Sequence, residues 1–302
     1  MKFVENLPTI KHFAEASEDQ ILRLWQGLGY YSRARNMHLT AKEITVNREG
    51  RFPANYKNLL KLKGVGPYTA AAIASFAYKE PVAVVDGNVY RVLSRFFGVH
   101  SDISSPKGVA EFNQLANELI PEKSPDNYNQ AIMEFGALQC VPKSPDCENC
   151  LLNLNCFAFQ SKMQSNLPVN NKKIKVISRY FYYFVIEFEG KYFLNKRESK
   201  GIWQGLYDFY LVEQPELVDS ETLLVNFKHQ ELLQKSTIHI YLEKYQHQLT
   251  HQKIEVQFIH IRLNDHINSF YKKNKQHFFT FSQIEILPKP IIIENFIKNQ
   301  LL

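Results

Sequence analysis

The chain has 302 residues, 45% of them hydrophobic, and a net charge of +6. That length allows two domains and that composition fills their cores, which excludes a disordered or low-complexity chain. The opening stretch MKFVENLPTI has no apolar core of a signal peptide, and no segment is long and apolar enough to span a membrane, so a reducing cytoplasm is the expected setting.

The charge is uneven. Residues 1–157 hold 17 basic and 16 acidic side chains, a net of +1, and the remainder carries the other +5. Part of that excess lies at 158–180, where Lys162, Lys172, Lys173, Lys175 and Arg179 occur with no acid. Net charge alone is therefore a weak argument for a polyanionic partner, and any such footprint must be local.

In chain order, the first half reads as helices. ILRLWQGLGYYSRARNMHLTAKEI (21–44), YKNLLKL (56–62), TAAAIASFAY (69–78), NVYRVLSRFF (88–97), GVAEFNQLANELI (108–120) and YNQAIMEFGALQC (128–140) all show helical periodicity. Within LLKLKGVGPYTAAAIASFAY (59–78), an apolar helix ends at Gly64-Val65-Gly66 and another begins by Pro67. Glycine permits positive φ and close backbone approach, and proline suits a first helical turn. The pattern is a helix–hairpin–helix, whose exposed amides can hold a phosphate, or else a plain αα-hairpin. Farther on, PVAVVDGNVYRV places Asp86 between an apolar run and a helix. Taken alone, such an aspartate is an N-cap.

All four cysteines fall within CVPKSPDCENCLLNLNC: Cys140, Cys147, Cys150 and Cys156. Buried core thiols would not collect in one loop, and disulfides do not suit a reducing compartment. Metal is the remaining class. Zinc ribbons use two separated C-x2-C knuckles, whereas one compact loop of four thiolates favours a 4Fe–4S cluster over zinc. Pro142 and Pro145 stiffen the loop.

The second half is different. RYFYYFVIEF, KYFLNKR, IHIYLEKY and KIEVQFIHIRL read as strands, and FQSKMQSNLPVNNKKIK before them reads as a linker. The expected division is 1–157, a linker 158–175, and 176–302.

The order of these motifs resembles the HhH-GPD superfamily of DNA glycosylases. The endonuclease III branch has a Schiff-base lysine after the hairpin; here the matching residue is Tyr68, and a phenol cannot form an imine. Tyrosine there, LWQGLGYYSRARNMH (24–38), DGNVYRVLSR (86–95) and NQAIMEFGALQC (129–140) resemble the MutY family of adenine glycosylases. GKYFLNKRESKGIWQGLYDFYLVE (190–213) resembles that family's Nudix-like C-terminal domain; the Glu-rich hydrolase box is absent, which argues against a pyrophosphatase. HQLTHQKIEV matches the lesion-reading loop, with Leu249-Thr250-His251 where the family has Phe-Ser-His.

The resemblance implies a helical glycosylase domain with a cluster loop, followed by an α/β Nudix-like domain. It implies a monomer that binds double-stranded DNA carrying 8-oxoguanine:adenine or guanine:adenine mispairs and hydrolyses the adenine N-glycosyl bond. Asp86 would stabilise the sugar cation, Asn88 and Tyr68 would position around it, Tyr30 would wedge beside the lesion, and Lys143 would reach a phosphate. The family also carries a VMLQQTQV-like segment with a proton-donating acid just before it, which this sequence lacks. The expectation is a chain missing an N-terminal segment, and for want of that acid inactive or strongly impaired as a glycosylase and marginally stable; the alternative is a catalytically incompetent lesion-binding fragment of that enzyme.

Overall fold

The computed structural model describes residues 2–172, 175–234, 236–264 and 269–301. Lys173, one of the basic residues at 158–180, lies outside them. The chain divides into two compact units, Val46–Lys173 and Met1–Thr45 with Ile174–Leu302.

The first is helical. Helices Pro67–Tyr78, Pro106–Leu119 and Pro125–Leu138 each start on a proline, whose missing N–H costs nothing at that position. Helix Gly87–Phe97 packs Val89 and Leu93 against Phe112 and Ala116, with Ala83 completing the cluster.

The second unit is built on a mixed sheet. Strand Ile177–Phe188 pairs parallel with Gln252–Leu263 and antiparallel with Tyr210–Gln214, with Tyr183 opposite Phe258 on one side and Leu211 on the other. Phe181, Tyr183 and Val185 face one core; Tyr182, Phe184 and Ile186 face another. A strand covered on both faces needs apolar residues in succession, which explains the unbroken FYYFVI run.

Residues 1–45, read from sequence with the helical domain, join this sheet unit by packing. Ile21, Leu22, Tyr31 and Ala34 share a core with Phe181, Trp203, Leu206 and Phe296. The expected helical stretch 21–44 is also interrupted. Helix Glu18–Leu24 stops, and Tyr31–Asn47 begins only after Gly27, Gly29 and Tyr30 take positive φ values of 90°, 69° and 48°. Likewise IHIYLEKY divides: one strand ends at Ile240 and the next starts at Tyr245. Among the described residues no helix is long and apolar enough to cross a membrane.

Candidate active site

Asp86 does act as an N-cap, and the capping fixes it. Its Oδ1 accepts from the backbone N–H of Asn88 and of Val89, both at 2.8 Å. Its Oδ2 accepts from Asn88 Nδ2 at 3.0 Å. The Asn88 amide has one possible orientation, because its Oδ1 accepts from Arg91 Nη2 at 2.8 Å and a guanidinium can only donate. Asp86 and Asn88 are half-buried at the head of the helix. The carboxylate thus stands in one pose at a partly solvated surface.

Arg91 continues the chain of contacts. It donates through Nε to the Cys140 carbonyl at 2.7 Å and through Nη2 to the Gly136 carbonyl at 2.6 Å. Four residues on, Arg95 is buried and donates to the carbonyls of Val141 (2.8 Å), Pro142 (3.1 Å) and Leu167 (3.1 Å). Burial pulls the Arg91 pKa down, yet a guanidinium stays charged at neutral pH. The sequence reading passed over both arginines. Two arginines four apart in the apolar NVYRVLSRFF, hence on one helix face, were the available signal. Gly136 was also missed. A Cβ there would lie 2.7 Å from Asn88 Cβ, so the close approach of helices Gly87–Phe97 and Pro125–Leu138 needs glycine.

The hairpin turn has the expected form. Gly64 takes φ 73°, Val65 N–H bonds the Leu62 carbonyl at 3.2 Å, and Gly66 is the N-cap of Pro67–Tyr78 with no side chain closing the helix end. Tyr68 is half-exposed on its first turn, and makes no hydrogen bond to Asp86 or Asn88 among the described residues.

Cys140, Cys147, Cys150 and Cys156 line one cavity of about 30 Å³, with Phe135 and Phe159. All four are free thiols. Arg95 Nη1 donates to Cys140 Sγ at 3.4 Å, and Cys156 Sγ donates to the Arg95 carbonyl at 3.5 Å. Burial pushes the Cys147 thiol up, as does charge on the other three. The expected metal centre is met only in part: among the described residues no three His, Cys, Asp or Glu side chains close on a metal ion. Lys143 is exposed in this loop.

In the sheet unit, Thr250 and His251 form the tip of the hairpin joining Tyr245–Gln248 to Gln252–Leu263, closed by Leu249 N–H on the Gln252 carbonyl at 2.8 Å. Leu249 packs inward. Tyr30 is 68% exposed, and its hydroxyl lies 3.4 Å from Thr250 Oγ1. Both border a cavity of about 630 Å³ with Arg35, Trp203 and His247.

A curated adenine DNA glycosylase of Buchnera aphidicola (subspecies Acyrthosiphon pisum) is 30% identical over 303 residues, 99% of this chain and 84% of that one. The chain belongs to the adenine DNA glycosylase family. The adenine DNA glycosylase of Schizosaccharomyces pombe is 42% identical over 163 residues, 53% of this chain and 35% of that one. The family model for HhH-GPD superfamily base excision DNA repair proteins matches residues 1–121, and the NUDIX domain model matches 182–299. The first match spans both packing units, so the 1–45 segment belongs to the glycosylase in sequence while packing on the Nudix-like sheet. A solved thermostable thymine-DNA glycosylase aligns over 53% of this chain and 74% of that one, with 28% identity and a TM-score of 0.49.

Proposed function

We propose that this chain is a base-excision repair enzyme that hydrolyses the N-glycosyl bond of adenine paired with 8-oxoguanine or guanine in double-stranded DNA, without cutting the strand. The observation that carries the reading is the fixed Asp86 carboxylate, capping through one oxygen and held by the Asn88 amide on the other. Adenine must leave the stack to be reached. As the bond breaks, its electron pair leaves with adenine, which takes a proton from solvent, and water adds to the sugar; the positive charge that grows on the ring meanwhile is stabilised by a preset anion without reorganising. Asn88 keeps the carboxylate aimed, and Tyr68 lines the approach. Because Tyr68 stands where a Schiff-base lysine would be, no imine forms with the sugar. The Val65 N–H is spent on the Leu62 carbonyl, so the turn would offer the N–H groups of its glycines to a phosphate, and Lys143 offers charge.

Tyr30 and the Leu249-Thr250-His251 turn would read the base opposite. Tyr30 offers a ring for stacking, and Thr250 and His251 offer polar atoms at the mouth of the cavity. Cys140, Cys147, Cys150 and Cys156 would hold a 4Fe–4S cluster, whose contribution when bound is to order the loop 140–156.

The test is free adenine released from a duplex with one 8-oxoguanine:adenine pair. The reading requires adenine release with strand breakage only after alkali. Selective binding of that duplex with no release would establish the lesion-binding alternative instead.

A further inference from the structure

The segment that carries Asp86 pairs with no strand among the described residues. Residues 79–86 run from the helix Pro67–Tyr78 to the helix Gly87–Phe97, and Ala83 and Val84 are buried. Buried backbone polar groups need partners, and outside a sheet no neighbouring strand supplies them. Here two asparagine side chains do. Asn129 Oδ1 accepts from Val84 N–H at 2.9 Å, while its Nδ2 donates to the Val82 carbonyl at 3.0 Å. Asn117 Oδ1 accepts from Ala83 N–H at 3.0 Å.

Asn129 is 1% exposed, and its amide has no freedom to flip. Val82 C=O can only accept and Val84 N–H can only donate, so Nδ2 and Oδ1 are each assigned by the partner they meet. The remaining Nδ2 proton goes to Ser75 Oγ at 2.8 Å, itself fully buried on Pro67–Tyr78. One carboxamide therefore ties three pieces together: the helix that begins beside Tyr68, the segment that ends at Asp86, and the helix Pro125–Leu138 that leads to Cys140.

We infer that Asn129, assisted by Asn117, is a positioning residue for Asp86, setting where along the segment the carboxylate falls by standing in for a missing β-strand. The inference rests on the proposed role of Asp86. A slip of the segment pulls on Asp86 directly, because Val84 precedes it by two residues, while the N-cap bonds set the pose of the carboxylate on the helix.

The test uses the full chain and two duplexes. One carries a cationic pyrrolidine in place of the target sugar, the other a neutral tetrahydrofuran abasic analogue. The affinity ratio between them reads carboxylate placement, and loss of folding or of general DNA affinity lowers both bindings alike. Wild type should favour the cation by about tenfold or more, as preset electrostatics would require. Asn129→Leu and the milder Asn117→Leu, whose side chain is exposed, should bring the ratio to within about twofold of unity, because a misplacement near 1 Å forfeits such a term. Asn117→Asp keeps the acceptor for Ala83 N–H and should restore the preference. Amide exchange across residues 82–89 should quicken in both leucine variants. Retention of the cation preference in both leucine variants, or unchanged exchange at 82–89 in Asn129→Leu, would overturn the inference. A wild-type chain with no cation preference would refute the role of Asp86 itself, and exchange at 82–89 would then decide whether the two asparagines hold the segment.

Discussion

Arg91 holds Asn88 by a 2.8 Å hydrogen bond from Nη2 to Oδ1, and the same guanidinium holds the Cys140 carbonyl at 2.7 Å. The partner of the candidate catalytic carboxylate and the first cysteine of the loop therefore share one buried cation. Replacing it, as in Arg91→Met, strands three acceptors: Asn88 Oδ1 and the carbonyls of Gly136 and Cys140. Unsatisfied buried groups cost about 1–3 kcal/mol each, partly offset by no longer burying a charge, so the variant should lose roughly 3 kcal/mol in urea unfolding. A midpoint unchanged from wild type would show that the guanidinium is not structural.

The cysteine hollow makes its own prediction. Chain purified without oxygen should carry about four irons with matching sulfide, the composition of a four-cysteine cubane. Cys147→Ser should lower iron content and DNA affinity together. Stoichiometric zinc with no sulfide would contradict the cluster assignment.

Thr250 and His251 sit at an exposed hairpin tip, so their replacement should leave the fold intact. The double variant Thr250→Ala, His251→Ala should narrow the preference for 8-oxoguanine:adenine over guanine:adenine by roughly 1–3 kcal/mol, the scale of one good base contact. Competitive binding measures this. An unaltered preference would move lesion reading elsewhere.

Asp208 is buried at the end of strand Tyr207–Asp208, accepting from Tyr183 Oη at 2.9 Å and from Arg197 Nη1 at 2.6 Å. Burial lifts its pKa to about 6, outweighing the pull of Arg197 in the other direction. An unfolded aspartate titrates near ~3.9, so the folded chain holds this proton more tightly than the unfolded chain does. Stability from this group is complete below about pH 4 and is lost as pH rises to about 6, by up to about 3 kcal/mol. The gap in unfolding free energy between wild type and Asp208→Asn should therefore move in favour of the variant across that window. A gap constant from pH 4 to 7 would contradict the burial argument.

Much of this was legible in the sequence because the motifs are local. Gly64, Gly66 and Pro67 specify a turn and a helix start through their own backbone preferences, and both appear where expected. The cysteine spacing likewise points to one loop, and all four cysteines border one hollow, although among the described residues no three of them close to metal-binding distance. What escaped was set by distant partners. The packing of Ile21 and Leu22 on Phe181 and Trp203 depends on residues some 160 positions away, which periodicity cannot see. Helical periodicity also ran straight through residues 25–30, because Trp25, Leu28 and Tyr31 keep an apolar spacing although Gly27 and Gly29 break the helix. Asn117 and Asn129 looked like ordinary polar helix residues, since their function lies in backbone groups of another segment.

The most direct test of the whole account is single-turnover release of adenine by wild type and by Asp86→Asn from the same 8-oxoguanine:adenine duplex. Asparagine can still accept from the N–H groups of Asn88 and Val89, so the cap survives while the charge, and with it the bond from Asn88 Nδ2, is lost. Loss of one preset electrostatic group costs about 10²–10³-fold in rate. The account expects wild type to release adenine and Asp86→Asn to fall by at least that factor, with affinity for the intact duplex retained. Equal release by the two proteins would contradict it.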